Sequence, residues 1–298
     1  MTDLDYIVDA HHHLWDLDVC KHTWLAEKGV DRFFGDPSPI QNNYHASDFK
    51  MDIGSLPVKK SVHIQVGVEV DDSLTETRWL QAQADQSGLP SAIIPFCDLT
   101  TDDLDSKLDA HLAHQAVRGI RQIVGRSAEE DRKTGTSALL ADAHFRQGLS
   151  KLAARDLTFD LQLTPPLMLA ASELFSSVPD LNVALCHCGS LSQQDPESVS
   201  EWKLGLQALA QVPNMLCKIS GFGMFDHRWS EQSIAPYVHR VIEIFGPARV
   251  AFGSNFPVDK LYASYNDTMG AYLRICESYS AAEREAMFKT NAEAFYRI

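Results

Sequence analysis

Three consecutive histidines stand near the start of the chain, in Ile7-Val-Asp-Ala-His-His-His-Leu14. The run is apolar and β-branched enough to form a strand, and in a strand the side chains of i and i+2 share a face. His11 and His13 therefore point together and His12 points away, with Asp9 expected in phase with the pair. Two imidazoles side by side at a strand end can bind a divalent metal or hold a substrate as neutral rings. A third candidate, His187, lies in Val183-Ala-Leu-Cys-His-Cys-Gly189. Its neighbours Cys186 and Cys188 have the chemistry of metal ligands, but alternation directs both to the face opposite His187. That argues against a Cys–His–Cys zinc site and for two small buried thiols packed outward.

The same phase test collects further polar residues at strand ends. Arg121 closes Gly119-Ile-Arg121, with Arg126 just beyond it. Asp160 and Gln162 alternate with Phe159, Leu161 and Leu163, and Lys218 and Ser220 alternate with Cys217 and Ile219. The last such run ends Phe252-Gly-Ser-Asn255-Phe-Pro-Val-Asp259. A polar side chain turned into a sheet interior is either part of a site or a costly burial. Singly, each could be a structural ion pair; together with the histidines they converge on one mouth. Arg121, Arg126 and Lys218 there suit an anionic small molecule.

The elements that must carry these residues are eight short apolar or β-branched runs. They are Tyr6–Leu14, Lys60–Val66, Ala92–Leu99, Val117–Val124, Leu157–Leu163, Asn182–His187, Met215–Ser220 and Arg249–Gly253. Helical patterns separate them, and after the first gap their starts are 25 to 40 residues apart, one βα unit each. Eight alternating units predict a single-domain α/β fold, a (β/α)8 TIM barrel. Ser73-Leu-Thr-Glu76 and Ser280-Ala-Ala-Glu283 read as capping boxes. Pro165-Pro166 reads as a helix start, and Gly88 and Gly246 as helix stops. The oversized first gap, Trp15 to Lys59, holds Trp24, Phe33, Phe34, Tyr44 and Phe49. A long aromatic loop after the first strand lies on the catalytic face of a barrel, as a pocket wall or lid, or as packing over the barrel surface.

Composition narrows the class. The chain has 298 residues, 45% hydrophobic and 22% charged, which fits a globular core and excludes a disordered or fibrous protein. Its net charge of −14 argues against nucleic acid and anionic membranes as partners. No apolar run is long enough to span a membrane. The acidic opening Met1–Tyr6 lacks the apolar core of a signal peptide, so the six cysteines are expected reduced and the protein cytoplasmic. Nothing in the sequence sets an oligomeric state.

Taken in order, Val8-Asp-Ala-His-His-His-Leu-Trp15, Gly119-Ile-Arg121, His187 before Gly189, Lys218-Ile-Ser-Gly221 and Gly253-Ser-Asn-Phe-Pro257 resemble the amidohydrolase-related TIM-barrel hydrolases. The closer likeness is to the lactonase-like branch, with its sugar-lactone and 2-pyrone-4,6-dicarboxylate lactonases. Asn291-Ala-Glu-Ala-Phe-Tyr296 resembles that branch's closing helix. The resemblance implies a hydrolase that opens a lactone, or a related ester or amide, by attack of water. It implies His11, His13, His187 and Asn255 as catalytic positions, and Arg121, Arg126, Gln162 and Lys218 as contacts to a small anionic substrate. One divalent metal, zinc or manganese, would sit on His11, His13 and His187; pyrone-type lactonases imply that metal-free operation is also open.

Two departures stand out. Asn255 occupies the place of the family's eighth-strand aspartate, the general base, and an amide cannot take a proton near neutral pH. The proton then falls to His187, or to Asp259 if its loop turns inward. Cys186 stands where the lactonase pattern places an aspartate, and the fifth strand offers Asp160 and Gln162 in place of the ligands of a two-metal site. The alternatives are a metal-dependent, non-hydrolytic decarboxylase, which usually retains the missing aspartate, and a catalytically altered barrel with a binding role.

Overall fold

The computed structural model describes residues 4–298. The first three residues of the acidic opening, and with them the expectation that no leader begins there, lie outside the described residues.

Eight parallel strands form, each overlapping one of the runs expected from the sequence, with the second starting two residues early. They are β1 (Ile7–His12), β2 (Val58–Ile64), β3 (Ala92–Ile94), β4 (Gly119–Ile120), β5 (Thr158–Leu161), β6 (Val183–Leu185), β7 (Met215–Ile219) and β8 (Val250–Phe252). Most are shorter than the apolar runs that contain them, because the chain leaves the ladder near the catalytic end and continues into loops. Pairing runs β1-β2-β3 and β4-β5-β6-β7-β8. Backbone hydrogen bonds cross both remaining seams. Between β3 and β4, Ile93 N–H donates to Ala116 (2.8 Å) and Arg118 N–H donates to Ile93 (3.1 Å). Between β8 and β1, Asn255 N–H donates to His11 and His13 N–H donates to Phe256, both at 2.7 Å. Gly253 makes this last approach possible, since a Cβ there would lie 2.5 Å from the Cβ of His11. A helix follows every strand, from Ala46–Ile53 after β1 to Tyr265–Ile275 after β8. This is the (β/α)8 architecture that the run spacing predicts.

Strand alternation sorts the core into two shells. Phe159, Leu161, Val183, Leu185, Cys217, Ile219, Val250 and Phe252 face the helices. Val62, Ile64, Ala92, Ile94 and Ala184 face inward and meet Tyr296, while Val8, Ala10, Leu216 and Ala251 meet Ala292. The final helix, Asn291–Tyr296, thus plugs the end where the strands begin. Asn291 Nδ2 fixes it there by donating to Pro247 (2.7 Å) and Val250 (2.8 Å). Small residues at Ala92 and Ala184 leave room for the Tyr296 ring inside the barrel.

Of the helix signals, the Ser280–Glu283 capping box forms, Gly88 ends its helix at φ +78°, and Pro165 opens a short 3-10 turn before Met168–Ser176. The Ser73–Glu76 box does not form. Ser73 is the first helical residue and donates its hydroxyl to Phe96, while Glu76 turns to His22 at 3.3 Å. Competing tertiary partners take both side chains. All six cysteines are free and buried. No helix among the described residues is long and apolar enough to cross a membrane.

Candidate active site

The histidine triplet sits at the end of β1, where the ladder breaks. The β1–β2 register shifts between Asp9 and His12, and such a bulge resets the alternation. Asp9 therefore does not share a face with His11 and His13, as simple period-two counting had placed it. Its carboxylate takes N–H groups from His11 (3.1 Å) and Ser254 (3.0 Å) and the Tyr265 hydroxyl (2.9 Å), tying β1 to β8. His12 points away, stacked on Phe49 with ring centroids 4.0 Å apart. His11 and His13 stay together, their centroids 5.1 Å apart and edge to face.

His187 joins them by a different route. β6 ends at Leu185, and His187 and Cys188 both adopt left-handed backbone, at φ +52° and +51°. Two successive non-glycine residues there hold strain of about 1–3 kcal/mol each, tolerated only where surroundings over-determine them. Trp202 Nε1 donates to Cys188 O (2.6 Å), and His187 Nδ1 pairs with Ser220 Oγ (2.9 Å). The turn brings the His187 ring to 4.4 Å from His11. It also corrects the expected orientation of Cys186. Alternation no longer applies past Leu185, and the thiol turns inward to 3.9 Å from Asp160 Oδ1. The two cysteines form no zinc site with His187: no group of three or more His, Cys, Asp or Glu among the described residues is arranged to hold a metal ion.

A cavity of about 640 Å³ opens above these residues, and His13, His187, Arg121, Arg126, Gln162 and Asn255 line it. Trp24, Phe33 and Phe34 of the long first loop form an aromatic wall. Their loop is anchored by Trp24 Nε1–H donating to Val66 (2.6 Å) and by the Tyr262 hydroxyl donating to Phe34 O. Arg121 is buried, donating to Gln65 O at 2.8 Å and to Gln162 Oε1, and its Nε has no partner. Arg126 pairs with Glu130 at 2.8 Å, and its buried Nε is likewise unpartnered.

Two expected contacts do not reach the cavity. Lys218 is fully buried, ion-paired with Asp160, whose Oδ1 also accepts from the Tyr296 hydroxyl (2.9 Å). This triad underlies the site, and Lys218 does not line the cavity. His11 packs behind His13 and His187 with neither ring nitrogen bonded. The triad was only half legible in the sequence. Asp160 and Lys218 stood out as inward-facing charges, but nothing local revealed that Tyr296 meets them.

Burial holds all three imidazoles neutral. It lowers His11 first, with the Lys218 ammonium adding to it. It lowers His13 to about 3, helped by the Arg121 guanidinium, and lowers His187 with the same two cations contributing. Neutral imidazoles are competent ligands, yet this donor set does not fit a resident divalent ion. The one carboxylate beneath it is committed to Lys218 and Tyr296, two permanent cations bear on the rings, and His13 Nδ1 is bound to Ile64 O (2.7 Å). Asp259 does turn inward, as one reading anticipated, but it stops behind Asn255, 2.9 Å from Nδ2.

The fold, the imidazole cluster at the strand ends and the guanidinium-lined cavity are those of an amidohydrolase barrel. The chain belongs to the amidohydrolase family, whose model matches residues 8–298, and it is a hydrolase. It is 37% identical to an uncharacterized protein of Sinorhizobium fredii over 299 residues, all of both chains. It is 25% identical to the L-fucono-1,5-lactonase of Burkholderia ambifaria over 307 residues, covering 99% of this chain and 97% of that one. Its fold is similar to that of a solved Burkholderia multivorans amidohydrolase with bound zinc, with a TM-score of 0.83 and 23% identity, covering 98% and 99% of the two chains.

Two predictions follow from the burial of charge. Lys218→Met leaves the Asp160 carboxylate unpaired inside the barrel and is expected to cost about 3–5 kcal/mol in urea unfolding. Adding Asp160→Leu should restore most of that loss, which a merely steric role for Lys218 would not allow. The second concerns pH. The unfolded chain binds protons on its histidines below about 6.5, whereas folding holds His13 to about 3 and His63 and His111 to about 4. His11, His12 and His187 shift in the same direction. Each therefore withdraws stability as pH falls below 6.5, by up to about 1.4 kcal/mol per unit. Asp9 and Asp259, raised by burial, act with the opposite sign, but six groups outweigh two. Urea midpoints should drop steeply between neutrality and mildly acidic pH, and a flat profile would contradict the neutral imidazoles.

Proposed function

We propose that the enzyme opens the lactone ring, or cleaves a related ester or amide, of a small anionic substrate by attack of water. The observation that carries this reading is the pair of Arg121 and Arg126. Both guanidinium groups line the cavity together with His13, His187 and Asn255. Such planar donors match a carboxylate, and a developing carbonyl oxyanion, far better than a neutral sugar face. The likeness to L-fucono-1,5-lactonase supports a lactone as the ester.

The chemistry then follows from the groups at the mouth. Arg121 lies deepest and polarises the substrate carbonyl, stabilising charge on its oxygen as water adds. Arg126, nearer the rim, takes the substrate's anionic group. Asn255 holds the water in place. The His187 tautomer that donates Nδ1–H to Ser220 leaves Nε2 unprotonated. That nitrogen accepts the water's proton as the C–O bond forms and returns it to the ring oxygen as the lactone bond breaks, giving a hydroxy acid. His11, packed against the His187 ring, fixes its plane. No step is assigned to a metal. Trp24, Phe33 and Phe34 keep the apolar side of the substrate out of water.

A panel of carboxylated and neutral lactones, esters and amides tests the reading, run before and after removal of metal by chelation. Turnover is expected on a carboxylated lactone and should survive chelation within about twofold. Arg126→Met should raise KM for it about tenfold or more while kcat changes little, as expected for one charged hydrogen bond worth about 1.5–3 kcal/mol. Equal turnover of neutral lactones would overturn the anionic substrate, and silence across the panel would overturn the reaction.

A further inference from the structure

The cavity has two unlike sides. Arg121, Gln162 and Asn255 supply polar atoms on one, whereas Trp24, Phe33, Phe34, Met224 and Val258 make the other apolar. The volume of about 640 Å³ equals that of about 20 water molecules at roughly 30 Å³ each. That is room for a body well beyond a single small ring.

The apolar side is built to hold its shape. Arg32 and Gly35 exchange both backbone hydrogen bonds at 2.9 Å, so Phe33 and Phe34 are the central residues of a tight turn. Phe34 is the buried foot of that turn, clustered with Met224 from the loop after β7 and Val258 from the loop after β8. The Tyr262 hydroxyl donates to its carbonyl. The Phe33 ring lies nearly parallel to Phe225 with centroids 6.0 Å apart, and Trp24 meets Phe34 edge to face at 5.8 Å. Trp24 and Phe33 stay half-buried. Loops after three strands thus fix two partly bare aromatic rings before any ligand arrives, and a preorganised wall costs a ligand little ordering.

This wall offers contact area and few hydrogen bonds. Trp24 spends its indole N–H on Val66 O at 2.6 Å, and its own carbonyl accepts from Arg32 at 3.0 Å. The Phe34 carbonyl is taken by Tyr262. At the rim, Glu27, Glu130 and Glu129 are each engaged by a cation: Arg32 (2.6 Å), Arg126 (2.8 Å) and Lys133 (3.0 Å). Hydroxyl groups of a sugar laid against Trp24 and Phe33 would lose water without gaining a partner. An aromatic ring there loses nothing polar and gains the stacking that aromatic pairs favour.

We infer that the ligand of this cavity is a hydroxy acid, or the lactone or ester that yields it, with an aromatic body that lies on the Trp24–Phe33 wall. Its acid or carbonyl group meets the Arg121 side, and its ring meets the first loop. The polyhydroxylated body of a sugar lactone does not match this division. As a substrate class the inference rests on the hydrolytic reading; as a ligand class it does not.

Calorimetric titration of the full chain with mandelate, glycolate and gluconate tests it. Mandelate and glycolate share one hydroxy-carboxylate head, so their difference reports the phenyl ring alone, whatever the head contacts. Mandelate is expected to bind about tenfold or more tightly than glycolate, the gain from burying one face of a phenyl ring. Gluconate should bind no better than glycolate. Phe33→Ser should bring mandelate to within about threefold of glycolate, and Phe33→Leu, which keeps the turn apolar, should reduce the preference part-way. Tighter binding of gluconate than of mandelate overturns the inference, as does the lack of saturable mandelate binding. A phenyl preference unchanged in both variants overturns the wall as its source. None of these titrations needs turnover: a silent lactone panel beside a clear mandelate preference removes the reaction and keeps the ligand class.

Discussion

The interaction on which the site depends is the fully buried ion pair of Lys218 and Asp160, bridged by the Tyr296 hydroxyl. Charges in a barrel interior are costly unless each has its partner, and here the partners come from β5, β7 and the final helix. The pair therefore requires the barrel to close in one register and the chain's last turn to enter it. It also places a fixed ammonium beneath the imidazoles. Whatever occupies the cavity meets the neutral rings of His13 and His187, with the Arg121 and Arg126 guanidinium groups at the side.

Much of this was legible in the sequence, for a definite reason. Period-two alternation reports which strand residues face inward, and it separated His11, Asp160, Gln162, Lys218 and Ser220 from their apolar neighbours. The βα spacing reported the barrel. Alternation failed where the backbone leaves the strand geometry on which it rests. A bulge after Asp9 removed that residue from the histidine face, and the left-handed turn at His187 carried Cys186 inward. The bulge has no glycine or proline to announce it, and in the second turn the one glycine, Gly189, follows the two residues that reverse the chain. Tertiary partners were invisible too: Ser73 looks like a cap until Phe96 is beside it, and Tyr296 looks like ordinary helix packing until its hydroxyl finds Asp160.

The aromatic first loop shows a middle case. Its length and composition marked it for the catalytic face, but not whether it would cover the barrel or shape the pocket. Trp15, Tyr44 and Phe49 are buried in the surrounding core, whereas Trp24, Phe33 and Phe34 turn to the cavity. One excursion serves both purposes because a loop that must expose an apolar wall to substrate needs its own packed base. The closure at Tyr262, which receives the loop's tip, explains why Gly35 takes φ +100°: a Cβ there would lie within 2.2 Å of the phenol oxygen.

The exchange of a carboxylate for Asn255 is best understood from its neighbours. An aspartate at position 255 would bring a second carboxyl to within hydrogen-bonding distance of buried Asp259, and two such groups cannot both ionise. The amide avoids this conflict. It keeps the shape of the side chain, gives up the proton chemistry, and gains a donor at one end and an acceptor at the other. The left-handed backbone at Asn255, φ +57°, is a conformation that asparagine accepts more readily than most residues. The substitution is therefore consistent at the level of backbone, hydrogen bonding and charge.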